Sequence, residues 1–229
     1  NPMVVVRLQD WPDDQELHFR ARELPAHEVT IVVQDSGGLV LRWFGPHGEV
    51  PFCGHGALAA AALLSQMGSH EHVLALGGPA KLPLRLGHEG DLAVLQMPAT
   101  ELVELEPSRV DLGVPILRLF DAGRDYLAVL PDEVSLRMLR PCRERILSLN
   151  KIGVIMTAPT TRAAAVFRFF APSVGIEEDR ASCSVLPALG ALWLSHPLDE
   201  GIFIQCSDID IPMVVRRFDT GWQVKGRVH

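Results

Sequence analysis

A cysteine and a histidine flank a glycine at the start of an alanine-rich apolar run, in the stretch CGHGALAAAALL from Cys53 to Leu64. The run predicts a buried helix, and Gly54 and Gly56 would let a ligand approach its first turn closely. A helix N-terminus carries free N–H groups and partial positive charge, so it binds carboxylates and lowers the pKa of a thiol. Cys53 and His55 are therefore candidates for acid–base chemistry, although a small core cysteine and a helix-start histidine fit the same pattern.

The same order of features occurs again later in the chain. Segments LRWFGP and FRFFAP are both aromatic, strand-like and end in proline, and each precedes an acidic loop, a cysteine and an apolar helix. The second copy contains Asp179 in its loop, then Ser182, Cys183 and Ser184. This repeat predicts two similar halves whose helix starts face one shared cleft. Taken alone, however, Asp179 or Ser184 could simply cap the second helix.

A carboxylate held between two helix starts would have an acidified α-proton, because the developing enolate charge is stabilised there. Proton removal and return by positioned side chains then needs no cofactor. The pattern therefore favours a racemase, an epimerase or a proton-shift isomerase. Glu28 lies between a predicted helix and an apolar strand. Taken alone, it fits a solvated acidic residue of a loop.

Bulk composition narrows the classes of partner. The 229 residues are 48% apolar, as in a soluble globular protein of one large domain or two small ones. A formal net charge of −7 argues against nucleic acid as a partner, and no apolar run reaches membrane-spanning length. The cysteines have no zinc-site spacing and His70 and His72 lack a third ligand, so no metal is predicted. We expect reduced thiols in a cytoplasmic protein.

Several elements must position these residues. Asp13 or Asp14 caps a predicted helix before the strand VTIVVQ, which leads through Gly37-Gly38 into the strand LVLRWF. A helix is predicted from Gly54 to Gln66. Later strand-like runs include the hairpin PILRLFDAG–RDYLAVLP, and the helical spacing of SLRMLRPCRERILSL is interrupted by Pro141.

Two long segments resemble the signatures of the PhzF-like phenazine-biosynthesis family. RWFGPHGEVPFCGHGALAAAALL resembles the strand that leads to P-F-x-G-H and a helix, and FRFFAPSVGIEEDRASCSVLPALGALW resembles R-F-F-A-P-x-x-G-I-x-E-D-P-x-x-G-S. ARELPAHEVTIVV resembles the family's A-x-E-x-x-x-S-E-T-x-F-V segment. The resemblance covers nearly the whole chain in the same order.

The resemblance implies an α+β fold shared with diaminopimelate epimerase and proline racemase. It consists of two similar halves, each a curved mixed sheet or barrel around a central helix. We expect an N-terminal half over 1–104 with its helix from Gly54, and a C-terminal half over 105–229 with its helix from Ser184. The last strand could pack back on the first half. A homodimer is consistent with this family.

The resemblance also implies a cofactor-independent proton shuttle on a small carboxylate. Glu28 falls on the family's catalytic glutamate and His55 on the G-H histidine. Asp179 falls on the E-D aspartate and Ser184 on the G-S serine. The predicted carboxylate-binding residues at the two helix starts are Gly54, Gly56 and Ser182.

Two departures from the family pattern leave alternatives open. Arg180 replaces a proline and Cys183 replaces a glycine, so that DRASC resembles the D-R-x-x-C segment of proline racemases. In those enzymes two cysteines act as paired acid and base, a role that Cys53 and Cys183 could fill here. A third hypothesis is a non-catalytic member that binds a small molecule, because Cys183 adds a side chain where an anion should approach. We favour Glu28 as the base.

Overall fold

The computed structural model describes residues 3–24, 28–35, 38–45, 48–68, 73–79, 81–194, 199–219 and 221–228. Gly37, Pro46 and the pair His70 and His72, on which predictions above bear, lie outside these ranges. The chain divides into two compact units, and each is described by itself below. The first consists of Asn1–Pro98 and Gln223–His229, and the second of Ala99–Trp222.

Within the described ranges, the first unit contains two helices and an extended sheet. The helices are α1 (Asp14–Glu23) and α2 (Gly54–Gln66). The strands are β1 (Val4–Leu8), β2 (Val29–Asp35), β3 (Gly38–Gly45), β4 (Gly48–Val50), β5 (Val73–Gly77), β6 (Leu82–Glu89) and β7 (Leu92–Pro98). Strands β1 and β2 pair in parallel, β2 and β3 form an antiparallel hairpin, and β5 joins β3 in parallel. Strands β5, β6 and β7 then pair antiparallel in succession.

Local sequence explains how the two helices of the first unit begin and where they pack. The Asp13 carboxylate caps α1 by accepting a hydrogen bond from the Glu16 N–H at 2.9 Å. Leu17 of α1 is buried with Ile31 and Phe44 in one apolar cluster. Helix α2 has the predicted bounds and packs against β1, β2, β6 and β7, so the sheet surrounds it on several sides.

The second unit also combines short helices with a mixed sheet. Its strands are β8 (Val103–Leu105), β9 (Arg118–Ala122), β10 (Asp125–Val129), β11 (Val154–Ala158), β12 (Ala165–Ala171), β13 (Ile176–Asp179), β14 (Glu200–Cys206) and β15 (Asp210–Phe218). It also contains the first two residues of β16 (Gly221–Gly226). Its α-helices are α3 (Glu133–Met138), α4 (Arg143–Leu147) and α5 (Leu186–Trp193). Strands β15, β14, β12, β11, β10, β9 and β8 lie side by side, and β13 pairs with β12. Strands β11 and β12 are buried along their whole length and form the centre of the core.

The unit boundaries differ from the predicted division at 104 and 105. Residues 103–105 form β8, which pairs with β9, so this segment belongs to the second unit. The end of the chain belongs to the first unit, where Lys225 pairs with Glu89 at 2.5 Å and Arg227 pairs with Asp91. Strand β16 thus starts in the second unit and continues into the first.

The central helix of the second unit does not begin at Ser184 as an α-helix. Cys183–Val185 form a 3-10 turn, and α5 follows from Leu186. Pro187 lies in the first turn of α5, where a residue without an N–H is tolerated. The predicted start at Ser184 thus lies within the 3-10 turn, two residues before α5 begins.

A buried tryptophan packs on a helix glycine in each unit. A Cβ atom at Gly56 of α2 would lie 2.9 Å from the ring of Trp43, and one at Gly190 of α5 would lie 2.9 Å from the ring of Trp222. Both tryptophans are almost fully buried. Trp43 lies in β3 and Trp222 in β16, so the two contacts resemble each other without occupying equivalent positions of the internal repeat. In the ranges that the structure describes, no helix is both long enough and apolar enough to cross a membrane.

Candidate active site

Three predicted residues of the first unit lie in direct contact. The Glu28 Oε2 atom is 2.9 Å from His55 Nε2, and both side chains are only 14% exposed. The Cys53 Sγ atom lies 3.7 Å from Glu28 Oε1 and 3.5 Å from His55 Nδ1. The arrangement joins a carboxylate, an imidazole and a thiol at the start of one helix.

Helix α2 and strand β2 position this group. Glu28 directly precedes β2, while Cys53 is the extended residue before α2 and His55 lies in the first turn. In the described structure the Cys53 side chain does not cap α2, and the first N–H groups of an α-helix have no intrahelical acceptor. These N–H groups next to Glu28 and His55 are suited to bind a carboxylate.

Gly54 and Gly56 are both buried in the first turn of α2. A Cβ atom at Gly56 would collide with Thr30 Oγ1 as well as with the Trp43 ring. Packing is thus a sufficient reason for glycine at this position, and carboxylate binding by Gly54 and Gly56 stays a prediction.

The Glu28 carboxyl is ionised at neutral pH. Burial acts to raise its pKa, but the hydrogen bond and the charge of His55, together with the Cys53 thiol, outweigh burial. The net result is a pKa below the ordinary value of 4.5. A carboxylate that is half-buried, ionised and bonded to an imidazole can accept a proton from carbon and keep contact with a second proton carrier.

The second unit brings together Asp179, Ser182, Cys183 and Ser184. Asp179 ends β13, and its Oδ1 accepts a hydrogen bond from the Ala181 N–H at 3.1 Å. The hydroxyl oxygens of Ser182 and Ser184 are 3.1 Å apart. The structure therefore presents the second signature as one compact turn from Asp179 to Ser184.

Sequence reasoning missed two residues that hold this turn. Gln205 of β14, which is fully buried, accepts a hydrogen bond from the Ser182 N–H at 2.6 Å and donates one to the Asp179 carbonyl. Arg124, between β9 and β10, donates a hydrogen bond to Ser184 Oγ at 3.2 Å. The sequence indicated Gln205 only as a polar residue within the apolar run GIFIQC, and it gave no indication of Arg124. The partners of both residues lie far away along the chain.

The two departures from the family pattern have different structural surroundings. Arg180 is exposed and pairs with Asp208 at 2.8 Å, so the surface accommodates it. Cys183 is buried, and burial raises the pKa of its thiol to about 12, with the charge of Asp179 adding to the rise. A thiolate at Cys183 is therefore scarce at neutral pH, which weighs against Cys183 as a base.

Other features of the described residues bear on ligands. Glu28, Cys53 and His55 are the group of potential metal donors found there, with ligand atoms all within 4.8 Å of one another. A groove of about 540 Å³ in the second unit lies between Glu104–Arg109 and Arg118, and none of the predicted site residues lines it.

Comparisons with known proteins agree with this fold and these signatures. The sequence model of the phenazine biosynthesis-like proteins, PhzC-PhzF, matches residues 1–207. An uncharacterized isomerase of Pseudomonas aeruginosa is 34% identical over 82% of this chain and 74% of its own length. The crystal structure of a phenazine biosynthesis protein of the PhzF family from Enterococcus faecalis superposes with a TM-score of 0.80 at 25% identity, covering 99% of this chain and 89% of that one.

A more distant neighbour shares the fold alone. A hydroxyproline epimerase from Agrobacterium vitis, solved with bound trans-4-hydroxy-L-proline, has a TM-score of 0.58 at 14% identity, over 94% of this chain and 78% of that one. The fold and the relatives define an enzyme of the isomerase class, built on the architecture of epimerases and racemases. Within that class, the chain belongs to the phenazine biosynthesis-like (PhzC-PhzF) family. The predicted family and the predicted α+β fold class are confirmed.

Proposed function

We propose that this chain is a cofactor-independent isomerase that transfers a proton at carbon of a small carboxylate-bearing substrate, with Glu28 as the base. The contact between the ionised Glu28 carboxylate and His55 at the start of α2 carries the proposal. The relatives named as isomerases support the reaction class.

The proposed reaction begins with a substrate carboxylate on the free N–H groups of the first turn of α2. Glu28 removes a proton from the adjacent carbon, so the C–H bond breaks and an O–H bond forms on Glu28. The electron pair moves into the substrate carboxylate as an enolate, which the helix start stabilises. The proton then returns to carbon at another position or on the other face, and His55 holds Glu28 in place and assists the relay.

The family resemblance implies substrate-orienting roles for residues of the second signature, and the proposal keeps these roles. Asp179 and Ser184 provide a carboxylate and a hydroxyl, and Arg124 holds the Ser184 hydroxyl from one side. The N–H of Ser182 is already bonded to Gln205, which leaves the Ser182 hydroxyl as its group for a substrate. We therefore assign any role of Ser182 in carboxylate binding to its side chain.

Deuterium incorporation from D2O tests the base directly. Protein is incubated in D2O with a panel of small amino and hydroxy carboxylates, and exchange at carbon is followed by NMR and mass spectrometry. Glu28→Gln should lower exchange by at least about 100-fold, as expected for loss of a general base. Glu16→Gln, a change of an exposed residue of α1, is the matched control and should exchange like the parent.

Two results would contradict the proposal. Full exchange in Glu28→Gln would remove Glu28 as the base. Loss of exchange in Cys183→Ala with normal exchange in Glu28→Gln would instead support the paired-thiol mechanism of Cys53 and Cys183. Binding of a carboxylate without exchange in the parent would favour the non-catalytic hypothesis.

A further inference from the structure

We propose that Glu28, Cys53 and His55 also form a binding site for a zinc-type divalent cation, and that the bound ion blocks the site. Thiolate, imidazole and carboxylate are the protein ligands that Zn²⁺ uses. Here one of each lies at the start of α2. Metal binding does not depend on the proposed isomerase activity, whereas inhibition by the metal does.

The spacing of the donor atoms fits one face of a tetrahedron. With Zn–S of about 2.3 Å and Zn–N or Zn–O of about 2.0–2.2 Å, tetrahedral angles require S···N and S···O separations of about 3.6 Å. The Cys53 Sγ atom is 3.7 Å from His55 Nε2 and 3.7 Å from Glu28 Oε1. The sulfur also lies 3.5 Å from His55 Nδ1, so the imidazole must turn to direct its Nε2 lone pair at a metal shared with Cys53.

The contact between His55 and Glu28 involves the other carboxylate oxygen, Oε2, and must open for a metal to bind. His55 Nε2 and Glu28 Oε2 are 2.9 Å apart, a hydrogen-bond distance, and two zinc ligands of this type stand about 3.4 Å apart. An opening of about 0.5 Å would exchange the hydrogen bond for two metal bonds.

Burial and charge also suit a cation with one open coordination position. Glu28 is already ionised, and metal binding would displace the thiol proton of Cys53, as is usual for a cysteine ligand. Cys53 is buried, while the 14% exposure of both Glu28 and His55 leaves room for water as the fourth ligand. The thiolate favours zinc-type ions over Mg²⁺ or Ca²⁺, which prefer all-oxygen sites.

The bound ion would inhibit rather than assist proton transfer. The oxygen lone pair that binds the metal is the one that Glu28 needs to accept a proton from carbon. Glu28, the proposed base, and His55 would both be bound to the metal. The site therefore offers a way for free zinc to switch off a carbon-acid isomerase.

Cobalt titration tests the site without reference to activity. Metal-free protein is titrated with Co²⁺ under reducing conditions, and we expect one equivalent to produce tetrahedral visible bands and a thiolate-to-cobalt charge-transfer band in the near ultraviolet. Zn²⁺ should then displace the cobalt. Cys53→Ala should abolish the charge-transfer band and weaken binding by more than roughly 100-fold, since losing a ligand exceeds the 10- to 100-fold effect of losing an outer-shell partner.

Matched variants keep the test decisive. Cys142→Ala removes a cysteine whose sulfur also lies near a carboxylate, Glu144 at 3.3 Å, and it should bind cobalt like the parent. Cys53→Ser provides a second variant if alanine at the buried position impairs folding, which circular dichroism detects. Equal cobalt binding by parent and Cys53 variants, or no stoichiometric binding by the folded parent, would overturn the proposal.

Deuterium exchange separates this inference from the proposed function. If the parent catalyses exchange, stoichiometric Zn²⁺ should suppress it and a chelator should restore it. If the parent binds cobalt through Cys53 but never catalyses exchange, the proposed function fails and the metal site stands. Exchange that continues unchanged in the zinc-loaded protein would overturn the blocking role.

Discussion

Replacing Gln205 by leucine should destabilise the second unit by removing both hydrogen bonds that span the turn from Asp179 to Ser182. Gln205 is fully buried in β14, so water cannot substitute for its amide. Leucine has a similar volume and fits the apolar strand. The perturbation is therefore mainly the loss of polar partners, with little change in packing.

The expected magnitude follows from what each partner keeps. The Ser182 N–H loses its acceptor at 2.6 Å, and a buried donor left without a partner costs about 1–3 kcal/mol. The Asp179 carbonyl still accepts a hydrogen bond from the Ser207 hydroxyl at 3.2 Å, so the loss of its hydrogen bond from Gln205 adds little. We expect about 2 kcal/mol of destabilisation, or a decrease in Tm of roughly 4–8 °C for a protein of this size.

Urea unfolding and thermal unfolding measure this effect, with Gln96→Leu as the matched control. Gln96 is also a buried strand glutamine, but its Oε1 has no hydrogen-bond partner within the described ranges, so its replacement should be nearly neutral. Equal stability of the two variants would refute the reasoning.

Two further predictions concern charged pairs. His55→Leu removes the hydrogen bond and charge that do most to lower the pKa of Glu28, while the Cys53 thiol remains. Burial should then raise that pKa, and the acid limb of the exchange-rate profile should move to higher pH. In the parent, the lowered pKa of Glu28 contributes stability to the folded state. This stability is fully present above pH 4.5 and is lost as the pH falls through the lowered pKa. Arg168→Met should cost about 3 kcal/mol in urea unfolding, because it breaks a bidentate pair of a buried arginine with Glu178. The exposed pair of Arg118 offers the control, and Arg118→Met should change stability little; similar losses in both arginine variants would contradict this.

Features set by local sequence were predictable. The Asp13 cap, the bounds of α2 and the β9–β10 hairpin each depend on residues close together in the chain. The interruption of a helical segment at Pro141 is also confirmed, because α3 and α4 lie on either side of it. Caps, helix periodicity and turn glycines act over a few residues, so a single sequence is enough to locate them.

Contacts between distant segments were not predictable from the residue pattern. Gln205 lies 26 residues from Asp179, and Arg124 lies 60 residues from Ser184. The 3-10 turn before α5 was missed because the cap-like residues around Cys183 suggest the start of an α-helix. In the structure Cys183–Val185 form the 3-10 turn, and α5 begins after it. The contact of Glu28 with His55 was expected only as part of the resemblance, since β2 and α2 are separate elements that the tertiary fold brings together.

The return of residues 223–229 to the first unit has a consequence for synthesis on the ribosome. Strand β7 has β16 as its neighbour, so the nascent first unit carries an unpaired strand edge while all of residues 99–222 are translated. Exposed edges promote pairing with other chains. The nascent chain therefore needs protection of the β7 edge until β16 emerges.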